Sequence, residues 1–164
     1  MTTGGSGIYL RPGDIHFGGG GLVVRTLLGS CVAVTLWHAR YRIGGMCHVV
    51  FPSEPRGDCD NRYMRCALGH FMDQVLSRGT APREYRVGLF GGGNMFPGVA
   101  PPGTLAVGTR NVELARTLLA KHGFDIDHEE VGGIAYRKVQ LSLLSGAVEV
   151  RATDVDPAGQ RNVL

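Results

Sequence analysis

The segment Leu22-Val-Val-Arg-Thr-Leu-Leu-Gly-Ser-Cys-Val-Ala-Val-Thr-Leu-Trp37 decides the fold. It contains two apolar, β-branched runs, Leu22–Leu28 and Val32–Trp37, which have the composition of β-strands. The corner Gly29-Ser30-Cys31 interrupts them, and a third run of this kind follows at Ile43–Phe51. We predict that the three runs are consecutive strands of one sheet.

Two helices are predicted downstream. Residues 63–76 place apolar side chains at the spacing of one helical face, and Gly79 follows where a glycine often ends a helix. The segment Asn111–His122 has a similar apolar side and is followed by Gly123.

Further apolar or alternating runs predict strands at Tyr85–Phe90, Phe124–Val131, Ala135–Leu143 and Ala147–Arg151. Six or seven strands, grouped at both ends of the chain around two principal helices, favour an α+β fold over a regularly alternating sheet. We therefore expect a layered α/β sandwich of mainly antiparallel or mixed strands. It would form a single domain at residues 8–152, between a flexible leader at 1–7 and a polar tail at 153–164.

Composition narrows the class of protein. With 43% hydrophobic and 19% charged residues, the 164-residue chain has the profile of a globular domain. The net charge of +3 is small and its cations are scattered, whereas a nucleic-acid-binding protein usually concentrates them in a patch. No apolar run is long enough to span a bilayer, and the N-terminus lacks the pattern of a signal peptide. We expect a cytoplasmic protein without membrane insertion, whose four cysteines are mostly reduced.

Cys31 is the first candidate for chemistry. A nucleophile needs exposure and nearby backbone N–H groups for a developing oxyanion, and a sharp corner containing glycine can supply both. A free thiol is mostly protonated at neutral pH, so Cys31 also needs a base. The alternative is that Cys31 is a buried cysteine packed as a small hydrophobic residue.

His48 is a candidate for that base. Strand alternation puts it on one face with Met46 and Val50, and puts Cys47 on the other face, where we expect it to fill the core. Beside a cysteine at the corner of a neighbouring strand, His48 becomes a plausible general base and acid, although a lone histidine in a strand is more often structural.

Other patterns favour plainer interpretations. A zinc site of Cys47, His48, Cys59 and Cys66 lacks a C-x-x-C spacing, so we expect no metal. The run Gly91–Asn94 follows a strand but matches neither phosphate-binding motif, which favours close backbone packing or a wall of the active site. We expect the remaining histidines to be surface or capping residues: His16, His38, His70, His122 and His128.

A set of motifs resembles the CheD family of chemoreceptor glutamine deamidases. The motifs occur in the family's order across about residues 13–151, nearly the whole chain. They are Thr26-Leu-Leu-Gly-Ser-Cys31-Val-Ala-Val, Gly45-Met-Cys-His48 with Pro52, Gly91-Gly-Gly-Asn-Met-Phe96, Gly108-Thr-Arg-Asn111, Val131-Gly-Gly133 and Gly146-Ala-Val-Glu-Val-Arg151.

The resemblance implies a toxin-deamidase-like α/β sandwich and a hydrolase without a cofactor. It assigns Cys31 as nucleophile and His48 as its base, acting on glutamine side chains of chemoreceptor cytoplasmic helices through a thioester. Backbone N–H groups at Gly29 and Ser30 would hold the oxyanion. Thr26 would orient His48. The family's threonine usually lies one residue upstream, where this chain has Arg25, and a local bulge at Gly29 could restore the direction of Thr26.

A second departure is Tyr136, where the family often has glycine; we expect it to alter a loop or strand edge and not the chemistry. The family also implies binding to a CheC-type phosphatase. Three alternatives therefore stand beside the deamidase: a binding protein for such a phosphatase with weak catalysis, a receptor glutamyl methylesterase, and an unrelated thiol hydrolase acting on a small amide or ester.

Overall fold

The computed structural model describes residues 6–99 and 106–155, so most of the predicted leader and tail lies outside the described residues. That part of the chain contains nine strands, two α-helices and a short 3-10 helix at Pro82–Glu84. In chain order the elements are β1 (Gly7–Leu10), β2 (Ile15–Gly19), β3 (Val23–Leu28), β4 (Val32–His38), β5 (Ile43–Val49), α1 (Met64–Ser77), β6 (Arg86–Gly91), α2 (Val107–His122), β7 (Ile126–Val131), β8 (Ala135–Ser142) and β9 (Val148–Asp154).

The strands form two mixed sheets. One has four strands in the order β1-β3-β8-β9, and the other has five in the order β2-β5-β4-β6-β7. Only the pairs β1–β3 and β6–β7 are parallel among the described strands. Both helices pack on one face of the five-stranded sheet, and the four-stranded sheet covers its other face. The predicted α+β layered fold is confirmed.

The prediction of a single sheet for the first three strands is wrong. The corner Gly29-Ser30-Cys31 carries the chain from β3 in the four-stranded sheet to β4 in the five-stranded sheet. Burial explains the difference, because β3 alternates between the interior and an exposed face, whereas β4 lies in the middle layer and is almost wholly buried. The nucleophile candidate therefore lies where the two sheets meet.

The sequence missed two short strands. β2 is rich in glycine, and β1 begins at Gly7, inside the predicted leader. Helix α2 begins at Val107, four residues before the predicted start, and β9 continues to Asp154, inside the predicted tail. Glycine and polar edge residues carry weak strand signals, so pairing with a neighbour determines these bounds.

Two apolar clusters hold the layers together. The larger lies between the helices and the five-stranded sheet and includes Phe71 of α1, Leu119 of α2 and Cys47 of β5. The smaller lies between the sheets and includes Leu28, Met46 and Phe90. Cys47 is fully buried in the larger cluster, which confirms that it fills the core.

The expectation of four reduced cysteines is wrong for two of them. Cys59, in the loop before α1, forms a disulfide with Cys66 of that helix, with Cα atoms 5.6 Å apart, whereas Cys31 and Cys47 are free. This separation falls within the usual range for a disulfide. Neither of the two α-helices among the described residues is long and apolar enough to cross a membrane.

Candidate active site

All three carbonyl groups of the corner Gly29-Ser30-Cys31 accept hydrogen bonds, which hold the corner in place. Gly93 N–H donates to the Gly29 carbonyl at 2.9 Å, and Gly92 N–H donates to the Cys31 carbonyl at 2.9 Å. The Ser30 carbonyl accepts a hydrogen bond of 3.3 Å from Nδ2 of Asn111 on α2. Cys31 itself is half-buried and packs against the cluster between the sheets.

The glycine run after β6 makes this grip possible. Gly91 and Gly92 have φ angles of +102° and +65°, which favour glycine. A Cβ at Gly92 would lie 2.8 Å from the carbonyl oxygen of Gly108 in α2, so a side chain there would collide with the helix backbone. The predicted close backbone packing of this run is confirmed.

His48 faces the space between the sheets. It lies on β5 opposite Ala33 of β4, and its side chain is buried. Thr26 of β3 reaches it from the other sheet, with Oγ1 at 2.7 Å from Nδ1 of His48. The same hydroxyl lies 2.8 Å from the Leu10 carbonyl.

These two bonds fix the neutral imidazole tautomer. A carbonyl oxygen only accepts hydrogen bonds, so the single hydroxyl proton of Thr26 is donated to Leu10. Oγ1 must then accept from Nδ1–H of His48. The proton-free nitrogen of the ring is consequently Nε2, which is the atom that a general base requires.

The direction of β3 resolves the departure at Arg25. Arg25 is exposed on the outer face of the four-stranded sheet, where its Nε donates to Gln140 Oε1 at 2.9 Å. Thr26, the next residue, is buried and points inward. Alternation along a regular strand is enough to aim Thr26 at His48, so a bulge at Gly29 is not needed.

Burial keeps both reactive groups neutral at rest. It raises the pKa of the Cys31 thiol. It also lowers the pKa of His48, an effect that the Leu10 carbonyl and the charge of Asp14 oppose but do not cancel. The resting pair is therefore a thiol and a neutral imidazole, so the imidazole is able to accept a proton.

Strand register places Cys31 and His48 on neighbouring strands of the middle layer. The last paired residues are Val32 and Val49, so Cys31 follows opposite Val50 and lies diagonally from His48. Diagonal neighbours of this kind lie about 7–8 Å apart across the two strands. Nε2 of His48 is buried and makes no hydrogen bond within the described part of the chain, to Cys31 or to any other residue.

Gly29 and Ser30, the residues predicted to hold an oxyanion, form the corner together with Cys31. Within residues 6–99 and 106–155, no backbone carbonyl accepts the N–H groups of Ser30 and Cys31. Ser30 also lines an open cleft of about 570 Å³. Large apolar side chains exposed at this cleft are Phe51, Phe96, Val99 and Val107.

Sequence reasoning missed Asn111 and Arg137. Asn111 is fully buried on α2, and its Nδ2 donates to the carbonyls of Ser30 at 3.3 Å and Val50 at 3.0 Å. The Arg137 guanidinium donates to the carbonyls of Gly91 and Gly132 and so holds the glycine run. A polar residue on the apolar face of α2 was the available signal for Asn111.

Tyr136 lies closer to the site than predicted. It belongs to β8, an inner strand of its sheet, and not to a loop or an edge. An ideal Cβ on Gly29 would lie 3.3 Å from its Cε1 and 3.1 Å from Sδ of Met95. Both side chains thus form a wall beside the corner.

Two histidines differ from the surface prediction. His38 is buried at the end of β4, where its Nδ1 accepts from Tyr41 N–H at 3.2 Å, and His16 is half-buried in β2. Among the described residues, no three histidine, cysteine or acidic side chains cluster as a metal site would require. The disulfide also engages two of the four residues in the zinc alternative.

Comparisons with known proteins agree on one family. The family described as CheD chemotactic sensory transduction matches residues 52–152. A probable chemoreceptor glutamine deamidase CheD 3 of Dechloromonas aromatica is 43% identical over 145 residues, covering 86% of this chain and 84% of the relative. Proteins named probable chemoreceptor glutamine deamidase CheD 2 are 39% identical in Albidiferax ferrireducens, with 86% and 84% covered, and 39% identical in Geobacter sulfurreducens, with 86% of each chain covered. The chain belongs to the CheD chemotactic sensory transduction family.

Proposed function

We propose that this chain, a chemoreceptor glutamine deamidase, uses Cys31 as nucleophile, His48 as general base and acid, and Thr26 to orient His48. The observation that carries the proposal is the Thr26–His48 hydrogen bond between the two sheets. Because Thr26 has already given its proton to Leu10, the bond leaves Nε2 of His48 free of a proton. A cysteine packed on the same layer supplies the proton that Nε2 would take.

The reaction begins when Nε2 removes the proton from Sγ of Cys31. The thiolate attacks the carboxamide carbon of a receptor glutamine, and the oxygen becomes an oxyanion that accepts from the N–H groups of Ser30 and Cys31. The His48 imidazolium then protonates the amide nitrogen. The C–N bond breaks and ammonia leaves, with a thioester on Cys31.

Water completes the cycle. Nε2 accepts a proton from water as its oxygen attacks the thioester carbon, and the C–S bond breaks. The leaving thiolate of Cys31 recovers its proton from His48, which leaves glutamate on the receptor. A correctly placed general base of this kind typically contributes about 10²–10⁴-fold to the rate.

The cleft beside Ser30 is where we place the receptor helix. Its exposed apolar side chains, among them Phe96 and Val99, suit the apolar stripe of an amphipathic helix. A glutamine on such a helix would enter at the corner that carries Cys31. Because the proposed substrate is a receptor cytoplasmic helix, we propose that the protein acts in the cytoplasm.

A CheC-type phosphatase is the second partner that we propose, on the strength of the family resemblance alone. Pull-down of a candidate phosphatase by the wild-type chain and by the Cys31→Ala variant tests it. Equal capture by both would separate binding from catalysis, and no capture by either would exclude the phosphatase tested.

Intact-mass analysis of a purified receptor cytoplasmic domain tests the deamidase. Wild-type protein should add about one dalton per converted glutamine as ammonia leaves, and Cys31→Ala should add none while keeping its fold. Cys47→Ala is the matched control, since it deletes the other free thiol, which lies in the core. Conversion by Cys31→Ala at the wild-type rate would refute the assignment of Cys31.

A further inference from the structure

We infer that Asn111 is a positioning residue that sets the geometry of the nucleophile corner relative to His48. The inference rests on the proposed roles of Cys31 and His48. The hydrogen bonds of Asn111 end on backbone carbonyls, so its effect would pass through the backbone that carries Cys31 and His48.

Asn111 joins two strands where their own pairing stops. The ladder between β4 and β5 ends at Val32 and Val49. One step further, Nδ2 of Asn111 donates to the Ser30 carbonyl at 3.3 Å and to the Val50 carbonyl at 3.0 Å. A single amide group therefore braces the strand that begins after Cys31 against the strand that carries His48.

The bond to Ser30 also fixes a proposed oxyanion donor. The Ser30 carbonyl and the Cys31 N–H belong to the same planar peptide unit. Holding the carbonyl oxygen on Asn111 therefore sets the direction of the N–H at the other end. The bond from Gly93 N–H to the Gly29 carbonyl acts in the same way on the Ser30 N–H.

Helix packing holds Asn111 at this depth. Gly108 lies one turn earlier on α2, and a Cβ there would come within 2.5 Å of the Gly92 carbonyl oxygen, so the helix backbone rests directly on the glycine run. Asn111 follows on the same face and is fully buried.

The amide of Asn111 is only partly satisfied. Oδ1 of Asn111 is buried without a hydrogen-bond partner in the described part of the chain, and burying an unpaired polar atom is unfavourable. An apolar side chain would avoid that cost. The two bonds made by Nδ2 are what such a side chain would lose, and both end on the site.

The test compares Asn111→Leu, which fills the space without donors, with Leu118→Val, a mild change at a buried position two turns further along α2. Asn111→Ala is the second variant in case leucine does not fit. Each folded protein is assayed for kcat and KM on a receptor cytoplasmic domain. The rate of Cys31 alkylation by iodoacetamide is also followed across pH by peptide mass, with His48→Ala as the reference.

Asn111→Leu should lower kcat by about 10²-fold with little change in KM, as expected for a small misplacement of reacting groups. Its alkylation profile should move toward that of His48→Ala, while Leu118→Val should match wild type in both assays. Wild-type kcat and alkylation in a folded Asn111 variant would overturn the inference, and an equal loss in Leu118→Val would show that packing alone is responsible. If His48→Ala leaves the wild-type alkylation profile unchanged, the Cys31–His48 pair itself fails, and the Asn111 inference fails with it.

Discussion

Replacing Thr26 with valine removes one hydroxyl from the contact between the two sheets and leaves the side-chain shape nearly unchanged. In the wild type that hydroxyl donates to the Leu10 carbonyl and accepts from Nδ1–H of His48, and Thr26 is only 2% exposed. Valine leaves the Leu10 carbonyl and Nδ1–H of His48 buried without this hydrogen-bond partner. An unpaired buried group costs about 1–3 kcal/mol, so the two together should lower the free energy of unfolding by about 2–6 kcal/mol.

The effect on catalysis follows from the tautomer. Without Thr26, nothing selects the form of His48 with its proton on Nδ1, and Nε2 begins to carry the proton. Losing a preference of about 1–3 kcal/mol shifts the ratio of the two tautomers about 5- to 150-fold toward the unproductive form. Such a loss would stay well below the drop of about 10⁴-fold seen when the charged orienting aspartate of a serine protease triad becomes asparagine.

The assay measures kcat by ammonia release from a receptor domain, and stability by urea unfolding at neutral pH. Thr26→Ser, which keeps the hydroxyl, is the matched control and should retain most of the wild-type kcat. A folded Thr26→Val protein with kcat within about twofold of wild type would refute the reasoning, because it would show that the tautomer does not depend on Thr26.

The remaining predictions concern pH and the disulfide. Because burial lowers the pKa of His48, kcat/KM should stay constant as pH falls through the ordinary histidine pKa of about 6.5 and should decline only at lower pH. A decline centred above that value would contradict a buried neutral base. The same lowered pKa should make the free energy of unfolding fall as pH drops through about 6.5, since the unfolded chain then binds a proton at His48 that the folded chain does not. The variant His48→Gln should show a smaller pH dependence in urea unfolding. Cys59→Ser should lower the free energy of unfolding by about 2–3 kcal/mol through loss of a short closed loop. Thiol titration of the denatured, unreduced wild type should count two thiols, Cys31 and Cys47, and a count of four would contradict the disulfide.

Local patterns in the sequence predicted most elements, because a strand or helix leaves a periodic trace in its own residues. The apolar face of α1 and the alternation around His48 are examples, and both hold in the structure. The assignment of the first three strands to one sheet failed for a different reason. Whether the chain continues in one sheet or crosses to another at Gly29 depends on what covers each face, which the segment itself does not encode.

The same distinction explains what could be predicted of the site. Cys31 and His48 stand out because each is a reactive residue in an apolar strand context. The contacts of Asn111 with the site were missed because its partners lie 81 and 61 residues away in the sequence. The disulfide was missed because the expected compartment argued against it, whereas the proximity of Cys59 to Cys66 is a property of the folded loop.

Each of the three layers contributes something to the site that the other two cannot. The five-stranded sheet carries His48, and its strand β4 begins directly after Cys31. The four-stranded sheet supplies the hydroxyl of Thr26, and the helix layer supplies the amide of Asn111. The orienting hydroxyl and the bracing amide approach from opposite faces of the middle layer, so they fix different things: Thr26 sets the proton on the imidazole, and Asn111 sets the backbone at the corner. A change that loosens either outer layer should therefore impair one of these functions before it unfolds the domain. Loss of activity with a near-native fold in a variant of Thr26 or Asn111 is thus evidence about the layer that carries that residue.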